Sequence, residues 1–286
     1  MTRVRHDAQI QRVCDYIHHH IDDNFTFDVF STVASSSKFH CHRVFLSVVG
    51  VSALQYVQLV RMKRASFRLA FESTQTITDI AFEARFDSIN AFSRAFSRLF
   101  DQTPLQFRCV SDLSTWQAKY DITPPQQREL MMNVSIIDFK ARDVALIEHC
   151  GCPRLVLETV AKFVQWRKTT GLSPIKTSET FGVPYSDPEQ TPEAAFRFDI
   201  CGTHQDEVPE NVFGVKAGMI PGGRCAVAIH KGSHDTIGET VYYLYRNWLP
   251  ESNESVRDYP CFFQYLNFVH EVDECELLTK VYLPIE

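Results

Sequence analysis

Two periodicities divide the chain. From Ile10 to about Phe107, apolar residues recur every three or four positions and glycine occurs only at Gly50, the pattern of amphipathic helices. Beyond about residue 130, short β-rich runs bounded by Gly and Pro alternate with two amphipathic stretches, the pattern of an α+β region. Between them, Thr123-Pro124-Pro125-Gln126-Gln127 breaks both periods. The expected organisation is an all-α domain over 8–110, a linker over 111–130 and an α+β domain over 131–286.

The helical half repeats itself. Apolar helices over Phe25 to Ala34 and Thr76 to Ala84 are each followed by a tight turn and a second helix, opened by Ser37 and Ser88 as N-caps. At offsets +4, +6 and +8 from those serines stand Cys41, Arg43 and Phe45 in one copy, and Phe92, Arg94 and Phe96 in the other. Offsets +4 and +8 share the buried face and +6 points outward. The pattern predicts two helix-turn-helix units, 51 residues apart. Leu54 to Glu72 reads as one joining helix. At ~1.5 Å per residue it spans about 28 Å, which suits two units set in successive major grooves about 34 Å apart.

The second half also reads as a repeat, two βαββ units over 134–202 and 224–285. The first pair of strands is Val144 to His149 and Cys225 to His230, and the helices that follow carry Trp166 and Trp248. Phe181 to Tyr185 then mirrors Cys261 to Leu266, and the closing strands are Ala195 to Ile200 and Leu277 to Ile285. Two such units facing each other leave a cleft, a preferred place for ligands. Trp166, Tyr185, Tyr243, Trp248, Phe263 and Tyr265 are its candidate lining; ordinary core packing is the other reading of each.

Charge sharpens the division. The net −6 of the 286 residues hides 14 Lys and Arg against 11 Asp and Glu in residues 1–120, and 15 against 24 in the remainder. Residues 31–110 alone hold 10 against 5, a basic segment of the kind that attracts polyanions. No apolar run approaches the ~20 residues of a membrane helix, and Met1 to Ile10 is polar with two arginines, unlike a signal peptide. No membrane association is expected, and the location expected is cytoplasmic and nucleoid-associated. The nine cysteines follow no framework spacing and read as small buried residues. His149 beside Cys150-Gly151-Cys152 lacks a second ligand pair, so no metal and no cofactor are expected. His18-His19-His20 reads as a solvated helix end.

Residues 10–108 resemble the double helix-turn-helix domain of the AraC/XylS transcription regulators. The resemblance is carried by Ile77 through Ser88, by Phe92-Ser93-Arg94-Ala95-Phe96, by Asp101 through Arg108, and by Tyr56 with Arg61 through Ala65. Arg85 stands where that family usually has Gly, Ser35-Ser36 where it has a Gly turn, and Phe30-Ser31 where it has Val or Leu followed by Ala. The resemblance implies double-stranded DNA as partner, with RNA polymerase as a second one. Two units in one chain imply a monomer on DNA. By its chemistry, Arg43 or Arg94 can fork onto guanine, Phe39 can meet a thymine methyl, and His42 or Asn90 can bond a base edge. Lys38, Arg98 and the helix start at Thr103 suit phosphates. Arg61 is expected to be a structural ion-pair partner.

The second half resembles the GyrI-like effector-binding domain. Pro221 through Val227, His230-Lys231-Gly232, Trp248-Leu249-Pro250, Tyr265-Leu266-Asn267 and the closing Leu278 through Ile285 carry that resemblance. AraC-type domain first and GyrI-like domain second is the Rob-type order. Family members that bind lipophilic cations carry an acidic residue where this chain has Lys280. Three readings stand: an anionic or neutral effector, a cation held instead by Glu276, or no small ligand. The function expected is a DNA-binding transcription regulator of activating type, not an enzyme and without catalytic residues. It carries a small-molecule or partner-sensing domain behind its DNA reader. The alternatives are a GyrI-like small-molecule hydrolase, or a sequestering protein with a vestigial DNA-binding domain.

Overall fold

The computed structural model describes residues 2–72, 74–111, 132–188 and 191–286, with side chains from residue 7 onward. The expected linker, apart from Ser111, lies outside the described residues. The chain forms two units. The first is Met1–Glu129 with Val269–Cys275, and the second is Leu130–Phe268 with Glu276–Glu286.

The first unit is helical: α1 (Thr2–His19), α2 (Phe27–Val33), α3 (Lys38–Val49), α4 (Ala53–Phe71), α5 (Ile77–Glu83), α6 (Ile89–Phe100) and α7 (Pro104–Cys109). Its starts are set by side chains that accept orphan first-turn N–H groups. Ser37 accepts from His40 N and Ser88 from Ala91 N, while Ser52, Thr76 and Thr103 each form a reciprocal box with the residue three further on. The offsets read from the sequence then fall as spacing requires: Cys41 and Phe45 are buried with Phe30, Ile17 and Tyr56. Phe92, Phe96 and Phe100 are buried in the second copy, with Phe107 of α7 edge-on to Phe96 at 5.3 Å.

The two helix-turn-helix turns explain the family's glycines. Ser35 has φ +50° and Arg85 φ +60°, both left-handed. A side chain in that region costs roughly 1–2 kcal/mol, against the 0.5–1 kcal/mol of chain entropy that a glycine loses. Arg85 recovers part by donating to the carbonyl of Asp22. Ser35→Gly should therefore stabilise the first unit by about 0.5–1 kcal/mol; a lowered denaturation midpoint would contradict the turn geometry.

Two expectations change here. Arg61 is buried, but its partners are carbonyls rather than a carboxylate: Nε donates to Ile21 O at 3.0 Å and an Nη to Asp23 O at 2.7 Å. It thereby satisfies acceptors just past the C-terminus of α1, where a cation is favoured. His18 is not solvated with its two neighbours; it turns inward to Tyr56 OH at 2.9 Å, and burial lowers its pKa.

The second unit is one sheet of eight antiparallel strands in the order β1-β6-β8-β7-β3-β4-β2-β5. The strands are β1 (Val134–Phe139), β2 (Arg142–Cys150), β3 (Thr180–Pro184), β4 (Arg197–Thr203), β5 (Lys216–Ile220), β6 (Gly223–Lys231), β7 (Phe262–Tyr265) and β8 (Leu278–Pro284). Helix α8 (Val156–Thr170) follows β2. Helix α9 (Ile237–Tyr243) follows β6 and runs on through a π-helical turn over Leu244–Trp248. Edge strands β1 and β5 were not read from the sequence. Both helices pack on one face of the sheet. There Phe163 and Trp166 meet Ala145, Ile147 and Ile200, and Leu244 meets Ala226, Ala228, Val281 and Leu283. Among the described residues the buried Arg167 has no carboxylate partner: it donates to the Ser173 and Thr180 hydroxyls and lies 4.8 Å over the Phe163 ring. A Cβ on Gly202 would fall on that guanidinium and on Ser173 Oγ, so any other residue here must displace the buried Arg167 from its partners.

The same hydrogen-bond pattern closes both halves. His149 Nδ1 lies 2.8 Å from Thr159 Oγ1 and its Nε2 donates to Cys152 O at 3.0 Å; His230 bonds Thr240 at 2.8 Å and Ser233 O at 2.9 Å. With its nitrogens so used, neither imidazole is open to a metal. Among the described residues no three His, Cys, Asp or Glu side chains converge as metal ligands. Burial lowers the pKa of His230 from its ordinary 6.5. The unfolded chain takes up that proton first, so the stabilisation is complete above about pH 6.5 and is lost as pH falls through the lower folded value. The urea midpoint of the full chain should drop between pH 7 and 5, and His230→Gln should shrink the drop. A midpoint flat across that range would contradict it.

None of the nine cysteines is in a disulfide. Cys14, Cys41, Cys201, Cys225 and Cys261 are buried, and burial pushes Cys14 and Cys261 up to about 12 and Cys225 up to about 11. Cys109 and Cys150 are exposed.

Candidate nucleic-acid interface

The outward faces of α3 and α6 carry the candidate contacts. On α3, Phe39, Arg43 and Leu46 follow at i, i+4 and i+7, and Phe39 is 86% exposed. On α6 the matching positions hold Asn90, Arg94 and, one turn on, Arg98, all exposed. Neither the Arg43 nor the Arg94 guanidinium has a partner among the described residues, which leaves two planar forks free to dock. Each is held outward because the opposite side of its helix is locked in the core by Cys41 and Phe45, or by Phe92 and Phe96. A fork of this geometry matches guanine O6 and N7.

The other candidates divide. Asn90 and Arg98 are exposed, and Arg98 Nε lies 3.4 Å from the carbonyl of Arg94. Lys38 is exposed and ion-paired with Asp28 of α2, a solvent-screened contact that exchanges readily for a phosphate. His42 is half-buried, with its ring edge-on to Phe27 at 5.6 Å and Nδ1 buried without a partner, so it packs α3 on α2 rather than projecting. Thr103 is consumed as a cap: its hydroxyl accepts from Gln106 N, and Gln106 Oε1 accepts from its N–H at 2.9 Å. Leu46 was missed by sequence reasoning; its position at i+7 from Phe39 is the signal that would have found it.

In the second unit the opposite face of the sheet carries no helix among the described residues. Its buried residues are strand side chains: Phe139, Phe181, Phe262 and Tyr282 cluster there, with the last two rings stacked at 4.7 Å. At the edge of this cluster Tyr282 OH donates to Gln264 Oε1 (2.7 Å), Gln264 Nε2 to Glu179 (2.8 Å), and Arg142 Nε to the same carboxylate (2.5 Å). Lys280 lies in register between Ile229 and Gln264, half-buried and without a partner among the described residues.

Most of the expected lining is elsewhere. Trp166 is fully buried and stacks on Phe163 at 5.5 Å, and Phe263, Trp248 and Tyr265 belong to the core beneath α9. Tyr243 is half-buried on α9 itself. Tyr185 is 43% exposed just past β3, with the Arg197 guanidinium 4.2 Å over its ring. Glu276 is exposed in a 3₁₀ turn that ends before β8 begins, so it does not share a strand face with Lys280.

Comparisons with known proteins agree with these two architectures. Residues 132–286 match the model of the GyrI-like small molecule binding domain, and residues 30–109 match a helix-turn-helix domain model. The "Probable transcriptional regulator YgiV" of Escherichia coli (strain K12) is 47% identical over 156 residues, which are 54% of this chain and 98% of that protein. The "Right origin-binding protein" of the same organism is 25% identical over 241 residues, 82% of each chain. The "Transcriptional regulator Rob" of Salmonella typhimurium (strain LT2) is 35% identical over 106 residues, 37% of this chain and 35% of that one. Among solved structures, the cryo-EM structure of an EcmrR–DNA complex covers 91% of this chain and 98% of its own at 14% identity and a TM-score of 0.48. The chain belongs to the GyrI-like family, and it carries that domain behind an AraC-type double helix-turn-helix in the Rob-type order.

Proposed function

We propose that this chain is a transcription regulator that reads two successive major grooves of one DNA face with α3 and α6 and senses a small molecule or partner through its GyrI-like domain. The observation that carries the reading is the pair of free guanidiniums, Arg43 and Arg94, at the same offset from two capping serines. The 19-residue α4 joins their units, about 28 Å at ~1.5 Å per residue. The relatives' names support regulation as the role. One chain supplies both readers, so it binds as a monomer, associates with the nucleoid and acts on RNA polymerase as an activator. Selection of genomic fragments by the purified full chain, at physiological salt with competitor DNA, tests this. Two short conserved blocks about one helical turn apart are the expected result; one block would remove a reader, and no enrichment would remove the function.

The sensing face takes an anionic or neutral ligand, because the unpartnered Lys280 repels cations. Hydrolysis is the less favoured chemistry: the Tyr282 hydroxyl is committed to Gln264, Glu179 is held by Arg142 and Gln264, and burial pushes the Tyr282 phenol up to about 12. Lys280→Glu should create binding of aromatic cationic dyes, read as a gain in dye fluorescence. An unchanged signal would place the sensing site elsewhere.

A further inference from the structure

One short segment of the chain, Val269–Cys275, belongs to the first unit although the strands on either side of it, β7 and β8, belong to the second. Within the first unit it lies against α4. Lys63 Nζ meets Glu274 Oε1 at 2.5 Å, with both side chains only 16% exposed, and an Arg64 Nη donates to both oxygens of Asp273 at 3.1 and 3.3 Å. Cys275 Sγ lies 3.3 Å from the carbonyl of His18, and the His270 ring faces Phe71.

Arg64 makes this more than a surface tether. Its other Nη donates to Asp22 Oδ1 at 2.6 Å, in the turn that follows α1, and to the carbonyl of Glu83 at 3.2 Å, the last residue of α5. One guanidinium therefore ties the turn that leads from α1 toward α2 and the C-terminal end of α5 to the helix that joins the two units, and Asp273 holds that guanidinium as its third partner. Its side chain is 10% exposed, so removing a partner leaves a desolvated charge.

We propose that Val269–Cys275 is a brace: by pairing Lys63 and Arg64 through Glu274 and Asp273, it fixes the relative setting of the two helix-turn-helix units on α4 and makes two-block DNA recognition depend on β7 and β8. Gln264 and Lys280 of the sensing face stand on those same strands, so displacement of either strand reaches Arg64 through covalent continuity alone. The inference rests on the DNA-reading function proposed above.

A charge swap tests it, using the full chain and the two-block operator obtained by selection. Glu274→Lys and Lys63→Glu each break the pair, and the double variant K63E/E274K restores it at unchanged net charge. The brace predicts that both single variants weaken operator binding by about fivefold or more and that the double variant recovers most of the loss. Amide exchange over residues 266–277 should rise in the single variants and fall again in the double. Electrostatics without a brace predicts opposite shifts, because Glu274→Lys adds a positive charge and would tighten binding. Opposite shifts, unchanged affinities, or additive losses without recovery overturn the inference. A wild-type chain that binds no operator overturns the DNA-reading function instead, a distinguishable result.

Discussion

Arg94→Ala and Arg43→Ala should each weaken binding to the selected operator by about 1–3 kcal/mol, roughly tenfold to a hundredfold, and should relax base preference within one block only. Each arginine is exposed and without a partner among the described residues, so truncation leaves no buried charge and no lost cap. The folded chain should denature at the wild-type midpoint. A phosphate contact behaves differently: Arg98→Ala should weaken all sequences alike and lower the salt slope by about one. The two outcomes separate reading from positioning. Full affinity retained by both Arg94→Ala and Arg43→Ala would sink the two-groove arrangement.

The largest effect on stability is expected at Phe96. Its ring is fully buried and packs within 5.5 Å of Phe92, 4.2 Å of Phe100 and 5.3 Å of Phe107. Phe96→Ala removes one of the two α6 rings that meet Phe107 of α7, and truncations of this kind cost about 3–5 kcal/mol. The chain has two units, so the loss should appear in one of them. The transition followed by helical circular dichroism should move to lower denaturant, while fluorescence in a Trp116→Phe background, which leaves Trp166 and Trp248 of the sheet unit, should report an unchanged midpoint. A loss below about 1 kcal/mol would mean that the four rings repack, as cores with adaptable neighbours do.

How much of this was legible in the sequence follows the physics of each element. The helix starts were, because Ser37, Ser88 and Thr76 cap within three residues of where they stand, a local signal. The offsets +4, +6 and +8 predicted both the buried and the outward positions, because an α-helix has one period. Strands gave less. Cys261-Phe262-Phe263-Gln264-Tyr265 is apolar at consecutive positions, and nothing local says which parity faces the helices; Phe263 and Tyr265 do, whereas Phe262 and Gln264 do not. The Tyr282–Gln264–Glu179–Arg142 chain draws on three strands and on the residue just before a fourth, and no spacing announces it. Glu276 failed as a neighbour of Lys280 because the strand begins at Leu278, two residues later than the face argument required. Arg61 was correctly read as structural, but its acceptors are backbone carbonyls, which every residue carries and no sequence pattern marks.

The distribution of thiols has a practical consequence. Five of the nine are buried, and a thiol that stays protonated does not react with alkylating reagents. The two exposed ones, Cys109 at the end of α7 and Cys150 at the end of β2, lie in different units. The wild-type chain thus carries one natural attachment point on its DNA-reading half and one on its sensing half. A donor and acceptor dye pair placed there would follow the separation of the halves in solution without a single engineered residue.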